Sequence, residues 1–98
     1  MSDKDQLYVA LLVIRLGGTF SNTYGLCRLL SRKFEIFKCQ EVVVGLINHQ
    51  YVVFDELAGV KQFTINGKGE EVLMQNRQRI IDILRTTFPS ELNLIDKL

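Results

Sequence analysis

Three basic side chains at short spacing, Arg28, Arg32 and Lys38, are the residues of this sequence whose chemistry is most easily named. Arg28 and Arg32 are four residues apart, so a helix would place both of them on one face. Cationic side chains on one face bind phosphates through charge-assisted hydrogen bonds. Such a face is typical of a nucleic-acid-binding surface, although it also occurs as an ordinary solvated face of a structural helix.

Catalytic chemistry has few candidates in this chain. His49 is the single histidine, and no serine or cysteine stands at a family spacing from it that would form a nucleophile with its base. Cys27 and Cys39 do not form a CxxC pair, so a zinc ion would lack ligands. The glycines on either side of Lys68 lack the spacing of a phosphate-binding loop. We therefore expect no enzyme, no catalytic residue, no metal and no cofactor.

The composition is that of one globular domain. The chain has 98 residues, of which 47% are hydrophobic and 23% charged, and a chain of this length can bury a core without further staples. We expect a single domain over residues 1–98. The net charge is only +1, which is low for a module held on nucleic acid by phosphate contacts. Whether the chain binds nucleic acid therefore depends on how the charges are distributed over its surface.

Cysteine usage and hydropathy indicate the compartment. Cys27 and Cys39 occupy inward-pointing helical positions, so we predict two reduced, buried thiols rather than a disulfide. The apolar run from Leu7 to Ile14 lacks the basic region and the cleavage site of a signal peptide. It is also shorter than the ~20 residues that a bilayer span requires. These observations predict a cytoplasmic protein without a membrane segment.

The first two predicted helices lie on either side of a glycine pair. The first covers Gln6 to Leu16 and is apolar on every face, which predicts burial on two sides, although its β-branched content also permits a strand. Gly17-Gly18 then ends it. The second covers Thr23 to Lys33, where Ser21 or Asn22 can cap the first turn.

The third predicted helix covers about residues 38–49. Its inner side is predicted to carry Cys39, Val42, Val43, Leu46 and Ile47, and its outer side Glu41, Val44, Gly45 and Asn48. The run from Val42 to Val44 favours a strand locally, so the helix rests on the longer apolar spacing.

A hairpin and a closing helix follow. Tyr51 to Phe54 and Val60 to Ile65 have strand composition, and the residues between them, 55–59, are predicted to form the turn. Asn66 is suited to cap a helix over about residues 67–87, which ends before Pro89. Apolar residues in the tail, 90–98, predict that it packs against the domain.

The stretch from Phe63 to Leu73 carries a resemblance to a known family. It resembles the end of the wing in small bacterial regulators of the multiple-antibiotic-resistance and phenolic-acid-repressor type, where an aromatic residue, Leu and Thr precede a Gly three residues on. Phe63, Ile65, Asn66, Gly69 and Leu73 take those places here, and Asn keeps the capping chemistry of Thr. The chain is similar to these regulators over nearly its whole length.

The resemblance implies a mainly α winged helix-turn-helix fold with three N-terminal helices, a two-stranded wing and a C-terminal helix. The helix-turn-helix would cover about residues 22–49 and the wing about 51–65. It also implies transcription regulation by binding of duplex DNA, with the third helix in the major groove and the wing on the backbone or minor groove. The residues that would contact DNA are Ser21, Asn22, Arg28, Arg32, Lys38, Gln40, Glu41, Val44, Asn48 and Lys61.

Two further expectations concern partners. Regulators of this type pair through their terminal helices, which implies a homodimer through Leu7, Leu11, Ile80 and Leu84. The alternative is that the two helices bury each other within one chain. The predicted wing also carries Asp55 and Glu56 against one Lys61, which departs from the basic wings of the family. A winged-helix module that binds another protein, and no nucleic acid, is therefore the alternative function.

Overall fold

The computed structural model describes residues 1–17, 23–57 and 60–97. Within these ranges the chain forms five α-helices, one 3₁₀ helix and a two-stranded antiparallel sheet. In chain order they are α1 (Asp3–Gly17), α2 (Thr23–Phe34), α3 (Cys39–Asn48), β1 (Val52–Leu57), β2 (Val60–Ile65), α4 (Gly67–Gln75), α5 (Arg77–Thr87) and the 3₁₀ helix (Pro89–Lys97). The prediction of a mainly helical chain with one small hairpin is confirmed.

Helix α1 forms the centre of the domain. Every residue from Tyr8 to Ile14 is buried, and α1 packs against α2, α3, α4, α5 and β2. A helix that is apolar on every face can bury its whole circumference only when other elements surround it. The prediction of two-sided burial is confirmed, and the alternative of a strand is wrong.

The hairpin is longer than the sequence pattern predicts. Val52 pairs with Ile65, and the ladder continues without interruption to the Leu57 and Val60 pair. Residues 55–57, which were expected in the turn, therefore belong to β1. Their backbone groups find partners across the hairpin, and this outweighs the local turn preference of Asp55.

The end of α3 directs the chain into the hairpin. Gln50 has a φ of 61°, in the left-handed region. The N–H of Tyr51 donates to the carbonyl of Leu46 at 3.0 Å, and the N–H of Gln50 donates to that of Ile47 at 2.9 Å. This pair of bonds is the Schellman arrangement, which satisfies carbonyls that the helix end leaves free.

The junction from β2 to α4 rests on Asn66. Its Oδ1 accepts a hydrogen bond from the N–H of Gly69 at 2.9 Å, so the predicted cap is confirmed. The Nδ2 of Asn66 donates to the carbonyl of Gln50, and its N–H donates to the carbonyl of Tyr51 at 3.2 Å. Asn66 therefore joins the end of α3, the base of the hairpin and the start of α4.

The closing helix is divided into α4 and α5 at Asn76, so the prediction of one helix over 67–87 is wrong. Asn76 has φ −110° and ψ 18°, outside the helical region. Its side-chain Nδ2 donates to the carbonyl of Val72 at 2.8 Å, and its N–H donates to the same carbonyl at 3.0 Å. A short amide side chain that bonds its own backbone competes with regular helix geometry.

The chain returns to the core after α5. Ile95 of the 3₁₀ helix is buried, and this helix packs against α5. Phe88, just before it, contacts Phe34 edge-on with ring centroids 5.4 Å apart. The prediction that the tail packs on the domain is confirmed.

A substitution at Gly69 tests the close contact between the start of α4 and Tyr51. A Cβ at this position would overlap the backbone carbonyl of Tyr51 and lie 2.7 Å from Cγ1 of Ile65. We expect Gly69→Ala to lower the free energy of unfolding by about 3 kcal/mol, because backbone must move to admit the methyl group. Urea unfolding followed by circular dichroism measures this change.

Gly67→Ala is the matched control, since a Cβ at Gly67 meets no atom within 4 Å. We expect it to leave stability unchanged or raise it by up to about 0.5–1 kcal/mol, because alanine is the better helix former. Equal losses in the two variants would contradict the close approach at Gly69.

Candidate nucleic-acid interface

Helix α2 presents its two arginines to solvent. Leu26, Leu30 and Phe34 follow one another at four-residue spacing and are fully buried. Arg28 and Arg32 are exposed, and neither forms an ion pair with another described residue. By contrast, Lys33 lies 3.9 Å from Glu91. The two arginines therefore form an open cationic stripe along α2.

The candidate DNA contacts on α3 are also exposed. The inner side is formed by Cys39, Val42, Val43 and Leu46, all buried. The predicted contacts Gln40, Glu41, Val44 and Asn48 are exposed, as is Lys38 just before the helix. All five can reach a ligand that approaches α3 from outside the domain.

Two residues of α3 differ from their predicted sides. Ile47 was expected inside and is 40% exposed. Gly45 was expected outside and is half-buried, because Leu7 of α1 packs over it, with Cδ2 3.0 Å from the position of a Cβ. The packing of α1 on one flank of α3 rotates the buried sector away from Ile47.

Cys27 and Cys39 form a disulfide, so the prediction of two reduced thiols is wrong. Cys27 is half-buried on the flank of α2, and Cys39 is the first residue of α3. Their Cα atoms are 5.4 Å apart across twelve residues of sequence. The pairing depends on how α2 packs on α3, and the spacing of the two cysteines carries no sign of it.

This bond also places two of the candidate DNA contacts, Arg28 and Lys38, near each other. Because consecutive Cα atoms lie about 3.8 Å apart, the Cα atoms of Arg28 and Lys38 lie within about 13 Å of each other. Both residues adjoin a disulfide cysteine. The start of α3 therefore lies within this distance of Arg28, the first arginine of the cationic stripe.

Three of the predicted DNA contacts have no described side chain. Ser21 and Asn22 lie outside the described residues. Lys61 belongs to β2, where its backbone pairs with Glu56, and its side chain is also outside the description. Among the predicted contacts with a described side chain, Arg28 and Lys38 are the two that the disulfide places near each other.

The residues proposed for a dimer surface are largely interior. Leu11, Ile80 and Leu84 have no exposed area in the single chain, because α1 and α5 pack against each other. Their assignment to a surface between two chains is wrong, and the alternative, burial within one chain, is what the structure has. Leu7 is half-buried and packs over Gly45.

Asp5 and Arg79 form a charge pair in which the carboxylate is buried. Nη2 of Arg79 lies 2.7 Å from Oδ2 of Asp5, and Nε donates to Oδ1 at 3.1 Å. The hydrogen bonds from Arg79 lower the pKa of the Asp5 carboxyl, partly opposed by burial. The backbone N–H of Asp5 donates to Oγ of Ser2, so α1 starts at Asp3, three residues before its predicted start.

The pair has a structural role. It ties the first turn of α1 to α5, and no group of three or more His, Cys, Asp or Glu side chains in the described ranges is placed to hold a metal ion. A perturbed carboxyl can mark a catalytic site, but here its partner is an arginine that holds it ionised, which does not make a general acid or base.

Comparisons with protein-family models, curated proteins and solved structures find no match to this chain. Within residues 1–17, 23–57 and 60–97, no helix combines the length and apolar character that crossing a bilayer requires.

Replacing the Asp5 carboxylate tests the pair. We expect Asp5→Asn to lower the free energy of unfolding at pH 7 by about 1 to 2 kcal/mol, since the charge-assisted bonds to Arg79 are lost. The folded pKa of Asp5 is lowered, so its contribution is present above the unfolded pKa of about 3.9 and is lost as pH falls below it.

The difference in stability between wild type and Asp5→Asn should therefore shrink between pH 5 and about pH 3. Denaturant unfolding at several pH values measures it. Asp3→Asn, in the same helical turn and exposed, is the control. A difference that stays constant with pH would contradict the ionised pair.

Proposed function

We propose that this chain is a winged helix-turn-helix protein that binds duplex DNA and regulates transcription in the cytoplasm. In this proposal α2 and α3 are the helix-turn-helix, α3 enters the major groove, and β1 and β2 are the wing. The order of the elements agrees with that of the family that the sequence resembles.

The observation that carries the proposal is the exposure of three cations, two on α2 and one just before α3. The three residues are Arg28 and Arg32 of α2 and Lys38, which directly precedes α3. All three are exposed, and none forms an ion pair within the described part of the chain. Phosphates can bind such cations with release of counterions. The net charge of the chain is +1, so binding would depend on these local cations rather than on the charge of the whole domain.

Base recognition would fall to the outer side of α3. Gln40 and Asn48 have amide side chains, which can bond adenine through its N6 and N7. Val44 can contact a thymine methyl group, and Glu41 can accept a hydrogen bond from the amino group of cytosine. With two amides and no arginine on this face, we expect moderate sequence preference.

A homodimer remains part of the proposal, since two half-sites would set the spacing on DNA. It would have to use surfaces other than Leu11, Ile80 and Leu84, which are buried in the single chain.

Binding of another protein is the second candidate function, and exposed apolar side chains favour it. Phe37, between α2 and α3, is 76% exposed, and Val44 of α3 is 54% exposed. Ile47 is exposed on the same helix. Large apolar side chains of this kind are common in the surfaces through which proteins bind one another. The DNA experiment below distinguishes the two functions.

Fluorescence anisotropy with a random-sequence duplex at about 50 mM salt tests DNA binding. We expect the wild type to bind with a steep salt dependence. The Arg32→Ala/Lys38→Ala variant should bind about tenfold more weakly, with the slope of log K against log salt reduced by about 1.8, because each phosphate contact contributes about 0.9.

The matched control is Arg77→Ala/Arg85→Ala, which removes two exposed positive charges from α5. We expect its affinity to stay close to that of the wild type. No binding by the wild type at low salt would overturn the proposal and favour the protein-binding function. Equal losses in the two double variants would mean that net charge, rather than the α2–α3 surface, drives binding.

A further inference from the structure

We propose that the Cys27–Cys39 disulfide is a reversible thiol–disulfide switch that holds the first turn of α3 in place and so controls DNA binding. The part of this inference that concerns DNA binding rests on the proposed function, since the redox state would regulate the same α2–α3 surface. The first half of the inference, the control of α3 by the bond, concerns the protein alone.

The bond lies at the start of α3, which has no side-chain cap. Lys38 precedes the helix without any side-chain hydrogen bond to the free N–H groups of the first turn. At the start of α4, by contrast, Asn66 supplies that bond. An uncapped first turn loses about 1 kcal/mol relative to a capped one and opens more readily. The covalent link at Cys39 instead limits how far the uncapped first turn can move from α2.

The rest of the α2–α3 contact does not depend on sulfur. Leu30, Phe34 and Leu46 are fully buried, and Ile36 is nearly so. The N–H of Ile36 also donates to the carbonyl of Leu30 at 3.2 Å, which anchors the segment between the helices. Reduction should therefore leave the domain folded and act on the first turn of α3.

Thiol exchange needs one accessible sulfur and one good leaving group, and the two cysteines differ in these two respects. Cys27 is half-buried, whereas Cys39 is 5% exposed, so an attacking thiolate reaches the sulfur of Cys27 more easily. Cys39 is then the leaving group, and its place at the start of a helix stabilises the departing thiolate through the helix dipole. A more stable leaving thiolate is displaced faster.

The reductant in this step is a dithiol, small or protein-borne. One of its thiolates bonds to the sulfur of Cys27, and the Cys27–Cys39 bond breaks with its electron pair going to Cys39. The second thiolate of the reductant attacks the mixed disulfide, which releases Cys27 as a thiolate and leaves the reductant as a disulfide. Two electrons pass to the protein, and two protons from solvent complete the thiols.

The proposed compartment gives this exchange a role. Reducing systems of the cytoplasm keep thiols reduced, and disulfides that do form there are usually transient and act in catalysis or redox sensing. The residues next to Cys39, Lys38 and Gln40, are proposed DNA contacts. Loosening of the first turn would disperse them, and oxidation would hold them in one arrangement.

Hydrogen exchange measured by mass spectrometry tests the first half. Oxidised protein is compared with protein reduced by dithiothreitol, and circular dichroism confirms that both are folded. We expect the amides of residues 41–43 to exchange faster after reduction, while those of α1 stay protected. Equal protection of residues 41–43, or resistance of the folded protein to excess dithiothreitol, would overturn the switch.

Anisotropy with the same random duplex tests the second half. If the first turn is formed in about a tenth of reduced molecules, reduction should weaken binding about tenfold, and glutathione disulfide should restore it. The Cys27→Ser/Cys39→Ser variant should bind DNA with the affinity of the reduced protein, and neither dithiothreitol nor glutathione disulfide should change that affinity. Equal binding by the oxidised and reduced wild type would overturn redox control. No binding by either form would overturn the proposed function and its control, while hydrogen exchange would still decide whether the bond orders α3.

Discussion

The contact between the carbonyl of Tyr51 and the Asn66–Gly69 turn is the constraint on which the arrangement of the other elements depends. This carbonyl accepts the N–H of Asn66, and α4 approaches so closely that no side chain fits at Gly69. Asn66 uses both ends of its amide, one for α4 and one for the end of α3. The directions of α3, the hairpin and α4 are therefore set at one polar junction, because three sets of backbone groups must be satisfied together.

Helix α1 fixes the arrangement of the other helices through apolar packing, in addition to the polar junction at Asn66. Its buried circumference holds α2 and α3 from the inside, and the packing of Leu7 over Gly45 determines which side of α3 faces solvent. The outer sides of α2 and α3 are then the surfaces left for a partner. The same central packing takes Leu11, Ile80 and Leu84 out of any interface between chains, since their area is already buried.

The sequence was sufficient to predict those structural features that depend on interactions between residues close together in the chain. The Asn66 cap and the exposure of Arg28 and Arg32 depend on spacings of three or four residues, and these were predicted. Features that depend on distant residues were missed. The Asp5–Arg79 pair joins residues 74 apart, and the Cys27–Cys39 bond needs two helices to meet. The break at Asn76 is local, but the side-chain bond that stabilises it leaves no periodic signal.

Hydrophobic periodicity and capping chemistry therefore determined the types and order of the elements from α1 to the start of α4, because these depend on short-range geometry. The same holds for the helical spacing of the basic residues on α2. Tertiary packing decided which of the apolar residues form the core of a single chain, and it brought Cys27 and Cys39, the neighbours of Arg28 and Lys38, into bonding distance. It also left Ile47 in solvent and buried Asp5 beside Arg79. These outcomes depend on the angles at which helices meet, and helix angles follow from the summed contacts of many side chains.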